Sequence, residues 1–300
     1  MNTDTFSGFH PIVNMLYFVA VIGFSMFLMH PINLAISLFC AFIYATYLGG
    51  RRFLRLGLLF MLPMLLLTAV LNPLFNHQGA TILMYLPNGN PLTLESALFG
   101  VAASVMLITV IAWFSCFNAV VSSDKLVYLI GRKFPVLSLI LSMSLRFVPR
   151  FISQIKIVMN AQKCIGLNAD DKNIFHKVQF GIKIVSIVVT WALENAIETG
   201  DSMKSRGYGL PNRTSFSIFI FSKRDVVALV YILVCTTAII LGVVMGVYRF
   251  RYFPTIMHIE GGFAGFWTVF LFVVYLFLCA FPLIINIKED LFWKCLESKI

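Results

Sequence analysis

Residues 194–209 read Glu-Asn-Ala-Ile-Glu-Thr-Gly-Asp-Ser-Met-Lys-Ser-Arg-Gly-Tyr-Gly, a polar run in a chain otherwise rich in apolar residues. At helical spacing Ala196, Gly200, Met203 and Gly207 share one face. Small residues on such a face let a neighbouring helix approach closely. Glu194, Glu198, Asp201 and Ser205 share another face. The acids stand toward the N-terminal end and Lys204 and Arg206 at the C-terminal end, the order that a helix dipole favours. Gly207 and Gly209 then stop the helix, which leaves it ending on an exposed arginine. The chemistry of such an end is recognition, because a guanidinium offers acidic groups a planar fork of donors. A protein needs no such segment merely to sit in a bilayer, so either something outside the lipid reads it or it is an ordinary juxtamembrane helix whose charges are merely solvated.

The other residues capable of chemistry do not gather. The five histidines are scattered and form no HExxH or similar cluster. Asp170-Asp171 with His176 comes nearest to a catalytic group, and the turn Asn168-Ala169-Asp170-Asp171 accounts for it. Cys40, Cys116, Cys164, Cys235, Cys279 and Cys295 form no CxxC pair, and most lie in apolar runs. They read as small buried hydrophobes, with no disulfide and no metal ligand among them. The chain lacks a G-x-x-x-x-G-K-[ST] loop and so cannot bind ATP in that manner. No enzyme activity, cofactor or metal of its own is expected.

The elements that position residues 194–209 are membrane helices. Of 300 residues, 59% are hydrophobic and 12% charged, against about 25% charged in an average soluble domain. The mean hydropathy is +0.89. A soluble fold could not cover that much apolar surface, so the expected fold class is all-α and polytopic, with about six transmembrane helices and a cytoplasmic region carrying the polar helix. The 30 phenylalanines read first as lipid-facing bulk. The net charge of +10 reflects basic residues retained in cytoplasmic loops. No interleaved basic and aromatic patch points to nucleic acid. The N-terminus has no basic leader with an A-x-A-like site, so no cleaved signal peptide is expected.

Runs of the roughly 20 apolar residues that a span needs fall at 12–29, 32–49, 53–71, 94–116, 226–248 and 263–287. Arg51, Arg52 and Arg55 follow the second run, and the 72–93 loop, with Asn72-Pro73, Asn76 and Pro87-Asn88-Gly89, has no Lys or Arg. The positive-inside rule then places 50–55 and both termini in the cytoplasm. Lys288, Lys294 and Lys299 agree with this, while Arg249 and Arg251 fall on the outer side. These runs divide the chain into N-terminal spans (1–117), a cytoplasmic region (118–224) and C-terminal spans (225–300). The middle part holds 15 of the 23 Lys and Arg. Within it, Pro135 and Pro149 bracket a run too short for a span. Residues 150–166 follow as an amphipathic helix with Phe151, Ile155, Val158, Met159, Gln162 and Ile165 on one side and Lys156, Asn160 and Lys163 on another. A second apolar stretch, 178–193, leads into the polar run. Gly242 and Gly246, and Gly261 and Gly265, have the spacing of close helix contacts. No charge lies at the centre of a span drawn in this way, which argues against a proton-coupled carrier or a pump acting alone.

Three stretches carry a resemblance. Ser142-Met143-Ser144-Leu145-Arg146-Phe147-Val148-Pro149, Asn160-Ala161-Gln162-Lys163-Cys164-Ile165-Gly166 and Asp201-Ser202-Met203-Lys204-Ser205-Arg206-Gly207-Tyr208-Gly209 resemble, in order and spacing, motifs of the transmembrane T components of energy-coupling factor (ECF) transporters, the CbiQ-like family. The last stretch is the most specific, and the resemblance covers nearly the whole chain. It implies two coupling helices crossing at the cytoplasmic face, each ending in an arginine motif that docks into a groove of an ABC-type ATPase subunit. Ser205, Arg206 and Gly207 would form the second docking motif, and Lys163, Cys164, Ile165 and Gly166 the first. The first departs from the family pattern, because Ile165 stands where arginine is expected. Arg146, Arg150, Glu198 and Asp201 read as support for the coupling helices, with binding of lipid phosphates or snorkelling to the membrane surface as the alternatives for the two arginines.

The resemblance also implies the partners: one or two ATPases, which bind the ATP, and a small substrate-binding membrane subunit that selects a vitamin or a transition-metal ion. The location it implies is a prokaryotic cell membrane. The rival readings are a conventional ABC permease subunit lining its own substrate path, and a membrane-embedded enzyme. The enzyme would need a polar cluster that the sequence lacks.

Overall fold

The computed structural model describes residues 4–85, 90–166, 174–208, 219–248, 250–255, 257–258 and 265–297. The expected turn at Asn168 to Asp171, together with Pro87-Asn88-Gly89, Gly209, Arg249, Gly261 and Lys299, lies outside them. The described chain is helical apart from two short antiparallel hairpins, β1 (Ile82–Tyr85) with β2 (Pro91–Thr93) and β3 (Phe250–Arg251) with β4 (Met257–His258). Two compact units form. The first holds residues 1–122 and 219–300, and the second holds 123–218.

The first unit contains α1 (Pro11–Phe27), α2 (Pro31–Phe75), α3 (Leu94–Val120), α7 (Lys223–Val244) and α8 (Phe266–Glu297). The sequence repeats His-Pro-Ile at the start of α1 and of α2, with one physical result. His10 and His30 are the N-caps, each ring Nδ1 accepting from the N–H two residues on, at 3.3 Å. Proline fills the first helical position, where a missing N–H costs nothing. Two expected spans, 32–49 and 53–71, join in the 45-residue α2, which kinks where Gly50 takes φ 58°. Proline inside a helix removes one backbone hydrogen bond, yet α2 continues through Pro63 and Pro73 to Phe75. The helix therefore takes up the start of the expected 72–93 loop.

Lipid tails are as apolar as leucine, so these helices are held by close packing and buried polar links. At Gly100 of α3 an added Cβ would lie 3.0 Å from the Ala69 carbonyl oxygen of α2. Trp113 of α3 donates to Ser37 of α2 at 2.9 Å, and Ser37 lies 2.6 Å from Ser25 of α1. Ser25 in turn is 3.4 Å from Tyr275 of α8. Of the glycine pairs singled out in the sequence, Gly242 makes a close contact: a Cβ there would meet Leu271 of α8 at 2.8 Å.

One end of this unit is tied by polar bonds from the N-terminal segment. Asn286 of α8 accepts from Thr5 N–H at 3.0 Å and donates to Asp4 at 2.6 Å. Tyr44 of α2 donates to Asp4 at 3.2 Å, and Asp225 of α7 accepts from His10 N–H at 3.0 Å. The N-terminal segment, the kink of α2, the start of α7 and the end of α8 therefore share one end. The backbone of Arg51, Arg52 and Arg55 lies just past that kink, and Lys223, Arg224, Lys288 and Lys294 lie at those helix ends.

The second unit contains α4 (Ser123–Lys133), α5 (Pro135–Cys164) and α6 (Ile174–Ser205). It differs from the sequence expectation in one respect. The short run between Pro135 and Pro149 and the amphipathic run after it are a single 30-residue helix, while the apolar 178–193 stretch leads into the polar run, as expected, within a single 32-residue helix. Pro135 takes a first-turn position and Pro149 is accommodated inside the helix.

Among the described residues six helices are long and apolar enough to cross a membrane, but they are not the expected six. α5 and α6 are among them, while α1 and residues 61–75 are shorter. Arg146 and Arg150 thus stand on a helix of spanning length, Arg150 at the middle of Val136–Cys164, which corrects the reading that no charge lies at the centre of a span. The chain is an all-α, multi-pass membrane protein.

Candidate functional site

α5 and α6 pack antiparallel. Val158 of α5 is buried against Ile184 and Val188 of α6. Further along, Phe151 meets Trp191 edge-on with ring centroids 5.9 Å apart, and Phe147 stacks on Phe151. The Arg150 guanidinium lies 5.4 Å from the centre of the Trp191 ring, within reach of a cation–π attraction. The face of α6 turned toward α5 is thus Ile184, Val188 and Trp191, continuing to Glu198, Ser202 and Arg206. The expected small-residue face is not packed in this way. Ala196 is exposed, and a Cβ on Gly200 would meet nothing within 4 Å.

Beyond the aromatic contacts the two helices part around a cleft of about 420 Å³. Arg146 and Arg150 enter it from α5, and Glu198, Ser202 and Met203 from α6, with Arg206 and Tyr208 at its end. Three guanidinium groups and one carboxylate line it, a surface suited to an acidic partner. Asp201 is exposed and does not line it.

The end of α6 is a Schellman motif. Tyr208 N–H bonds to the Met203 carbonyl at 3.1 Å, and Gly207 N–H to the Lys204 carbonyl at 3.0 Å. Gly207 takes φ 73°, a left-handed conformation that costs an L-residue roughly 1–2 kcal/mol. Arg206 is therefore the C-cap, exposed on the last turn. Ser205 spends its hydroxyl on the Ser202 carbonyl, at 2.8 Å.

The end of α5 repeats the device. Gly166 takes φ 85° and its N–H bonds to the Lys163 carbonyl at 3.0 Å. Ile165 is the C-cap, the position that Arg206 holds on α6, and its side chain is 72% exposed. Lys163 and Cys164 are exposed beside it. The reading of the cysteines as buried holds for Cys40, Cys116, Cys235 and Cys279, while Cys164 and Cys295 are exposed. Because the helices are antiparallel, the two capped ends lie at opposite ends of the pair. At 1.5 Å per residue along α6 they are on the order of 40 Å apart.

Sequence reasoning named Arg146, Arg150, Glu198 and Arg206, and the structure brings these four around one cleft. It missed Trp191, which meets Phe151 across the helix pair beside the cleft, because aromatics in an oily chain read as lipid-facing bulk. Tyr208, quoted in the third stretch without a role of its own, also lines the cleft. Among the described residues no group of three or more His, Cys, Asp or Glu could hold a metal ion.

Comparison with known proteins bears on the whole chain. Residues 9–216 match the family model CbiQ, cobalt transport protein. An energy-coupling factor transporter transmembrane protein EcfT of Lacticaseibacillus paracasei is 27% identical over 238 residues, covering 75% of this chain and 88% of that relative. The protein of the same title from Lactobacillus helveticus is 33% identical over 102 residues, 33% of this chain and 37% of the relative. That from Lactococcus lactis is 34% identical over 112 residues, 36% and 42% respectively. The matched stretch thus spans well under half of two of these relatives and most of the third. They favour the T-component reading over a conventional ABC permease subunit. With its family model matched across more than two thirds of its length, the chain belongs to the CbiQ family of cobalt transport proteins.

Proposed function

We propose that this chain is the transmembrane coupling component of an ECF-type importer, a non-catalytic subunit that passes motion from ATPases to a separate substrate-binding membrane subunit. The observation that carries the reading is the placement of Arg206 as the exposed C-cap of α6, over a glycine-locked turn and beside Arg146 and Arg150. A fixed helix end with a guanidinium on it is a rigid handle for carboxylates in a partner groove. Ser205, Arg206 and Gly207 form that docking motif. The motif of Lys163, Cys164, Ile165 and Gly166 docks more weakly, since Ile165 brings no charge and Lys163 no bidentate fork. Arg150, through Trp191, braces α5 against α6, and Glu198 offsets part of the positive charge between them.

The separation of the two capped ends, on the order of 40 Å by helix rise, suits two ATPase subunits with one motif each. ATP is bound and hydrolysed in those partners, and this chain carries no cofactor. The cargo class is a vitamin or a transition-metal ion, chosen by the substrate-binding subunit. The basic residues gathered at the end of the first unit that also holds the N-terminal segment and the end of α8 support cytoplasmic termini in a prokaryotic cell membrane.

The test is purification of the tagged chain in detergent from cells expressing its own transporter genes. Recovery of one or two ATPases together with a small hydrophobic subunit is the expected result. Recovery with a periplasmic-type binding protein instead would favour the permease reading and overturn this one.

A further inference from the structure

In the first unit, the N-terminal segment, the start of α7 and the end of α8 enclose a cleft of about 680 Å³, inside the range of roughly 300–1,000 Å³ usual for ligand pockets. Its body is apolar, lined by Val227, Ala228, Tyr231 and Phe281. Tyr231 and Phe281 stack there with ring centroids 4.8 Å apart. Its mouth carries Arg224 and Lys288 with one carboxylate, Glu289. Arg224 is held in position: its guanidinium lies 4.3 Å from the centre of the Phe9 ring, and its Nη2 donates to the Gly8 carbonyl at 3.3 Å.

The sequence sets the level of this mouth in the membrane. Lys223 and Arg224 open α7, while Lys288 is followed on α8 by the exposed Phe292 and Trp293 and then by Lys294. Basic residues and exposed aromatics at helix ends mark the boundary between hydrocarbon and water. The cationic mouth therefore sits at the headgroup level and the apolar body runs toward the hydrocarbon. A free inorganic anion would satisfy the mouth and leave the body unfilled, and a neutral apolar molecule would do the reverse. An amphiphile with an anionic head satisfies both, and basic pockets between helices at the cytoplasmic boundary are suited to such heads. We propose that this cleft binds an anionic phospholipid, its phosphate held by Arg224 and Lys288 and one acyl chain lying against Val227, Ala228, Tyr231 and Phe281.

The test is native mass spectrometry of the full-length chain, released from detergent after titration with phosphatidylglycerol or with phosphatidylcholine of the same acyl chains. One phosphatidylglycerol molecule is expected to stay bound under conditions that strip phosphatidylcholine. Arg224→Gln with Lys288→Gln is expected to weaken that retention roughly thirty-fold, and either change alone about five-fold. Lys156→Gln with Lys177→Gln, two exposed basic residues of the other unit, is expected to leave it intact. Equal thermal melts of the variants establish that they are folded. Equal retention of the two lipids would overturn the proposal. So would unchanged retention in the Arg224 and Lys288 variant, or an equal fall in the Lys156 and Lys177 variant. Crosslinking of a protein partner through Val227→Cys, in place of lipid, would overturn it as well.

Discussion

The ends of α5 and α6 use one backbone design and present different chemistry. Each stops at a glycine in the left-handed region, Gly166 and Gly207, whose N–H returns to the lysine carbonyl three residues back. Each places a single side chain at the C-cap of that turn, Ile165 on one and Arg206 on the other. The α6 end has a cleft beside it in which further guanidinium groups gather. On the proposed function both ends are presented to a partner, and the differing side chain makes them grip differently. A charged fork has a directional preference for carboxylates, while an exposed isoleucine offers contact area alone.

The largest expected effect comes from reversing the charge at the stronger end. Arg206→Glu should weaken association with the ATPase subunit by about 2–5 kcal/mol, the cost of removing one partner of a buried interfacial charge pair. A binding titration with the isolated ATPase would measure it, and an unchanged affinity would break the comparison. Next comes the locked turn. Gly207→Ala forces an L-residue into the left-handed region at about 1–2 kcal/mol and should disturb the end of α6 together with docking. Gly166→Ala carries the same conformational cost at α5 and should reduce docking less, since less depends on that end. Equal losses would mean that the glycines act through helix stability alone. The smallest effect is a gain: Ile165→Arg gives α5 the side chain of α6 and should strengthen association by about 0.2–1 kcal/mol, the usual worth of an exposed ion pair.

Much of this contrast was legible in the sequence, because it is local. Gly166 and Gly207 follow runs of helical period, and the isoleucine in place of arginine can be read directly. The membrane class was legible too, since hydropathy sums over long windows. The continuity of α5 was not. Pro149 looks like a breaker, but helices of membrane proteins re-satisfy the backbone groups that a proline frees. The cleft was also hidden. It depends on the antiparallel register that sets Phe151 against Trp191 and so brings Arg146 to Ser202, a pairing across some fifty residues that no local pattern specifies. The small-residue stripe at Ala196 and Gly200 misled for the same reason. Helical spacing defines faces, and the partner helix decides which face is covered.

The most direct test of the unequal grip is a side-by-side titration of the purified chain with its ATPase subunits, comparing Arg206→Ala with Lys163→Ala. The account predicts at least a tenfold greater loss of affinity for Arg206→Ala, equivalent to about 1.4 kcal/mol, with Lys163→Ala close to the parent chain. Equal losses, or no loss at Arg206, would contradict it.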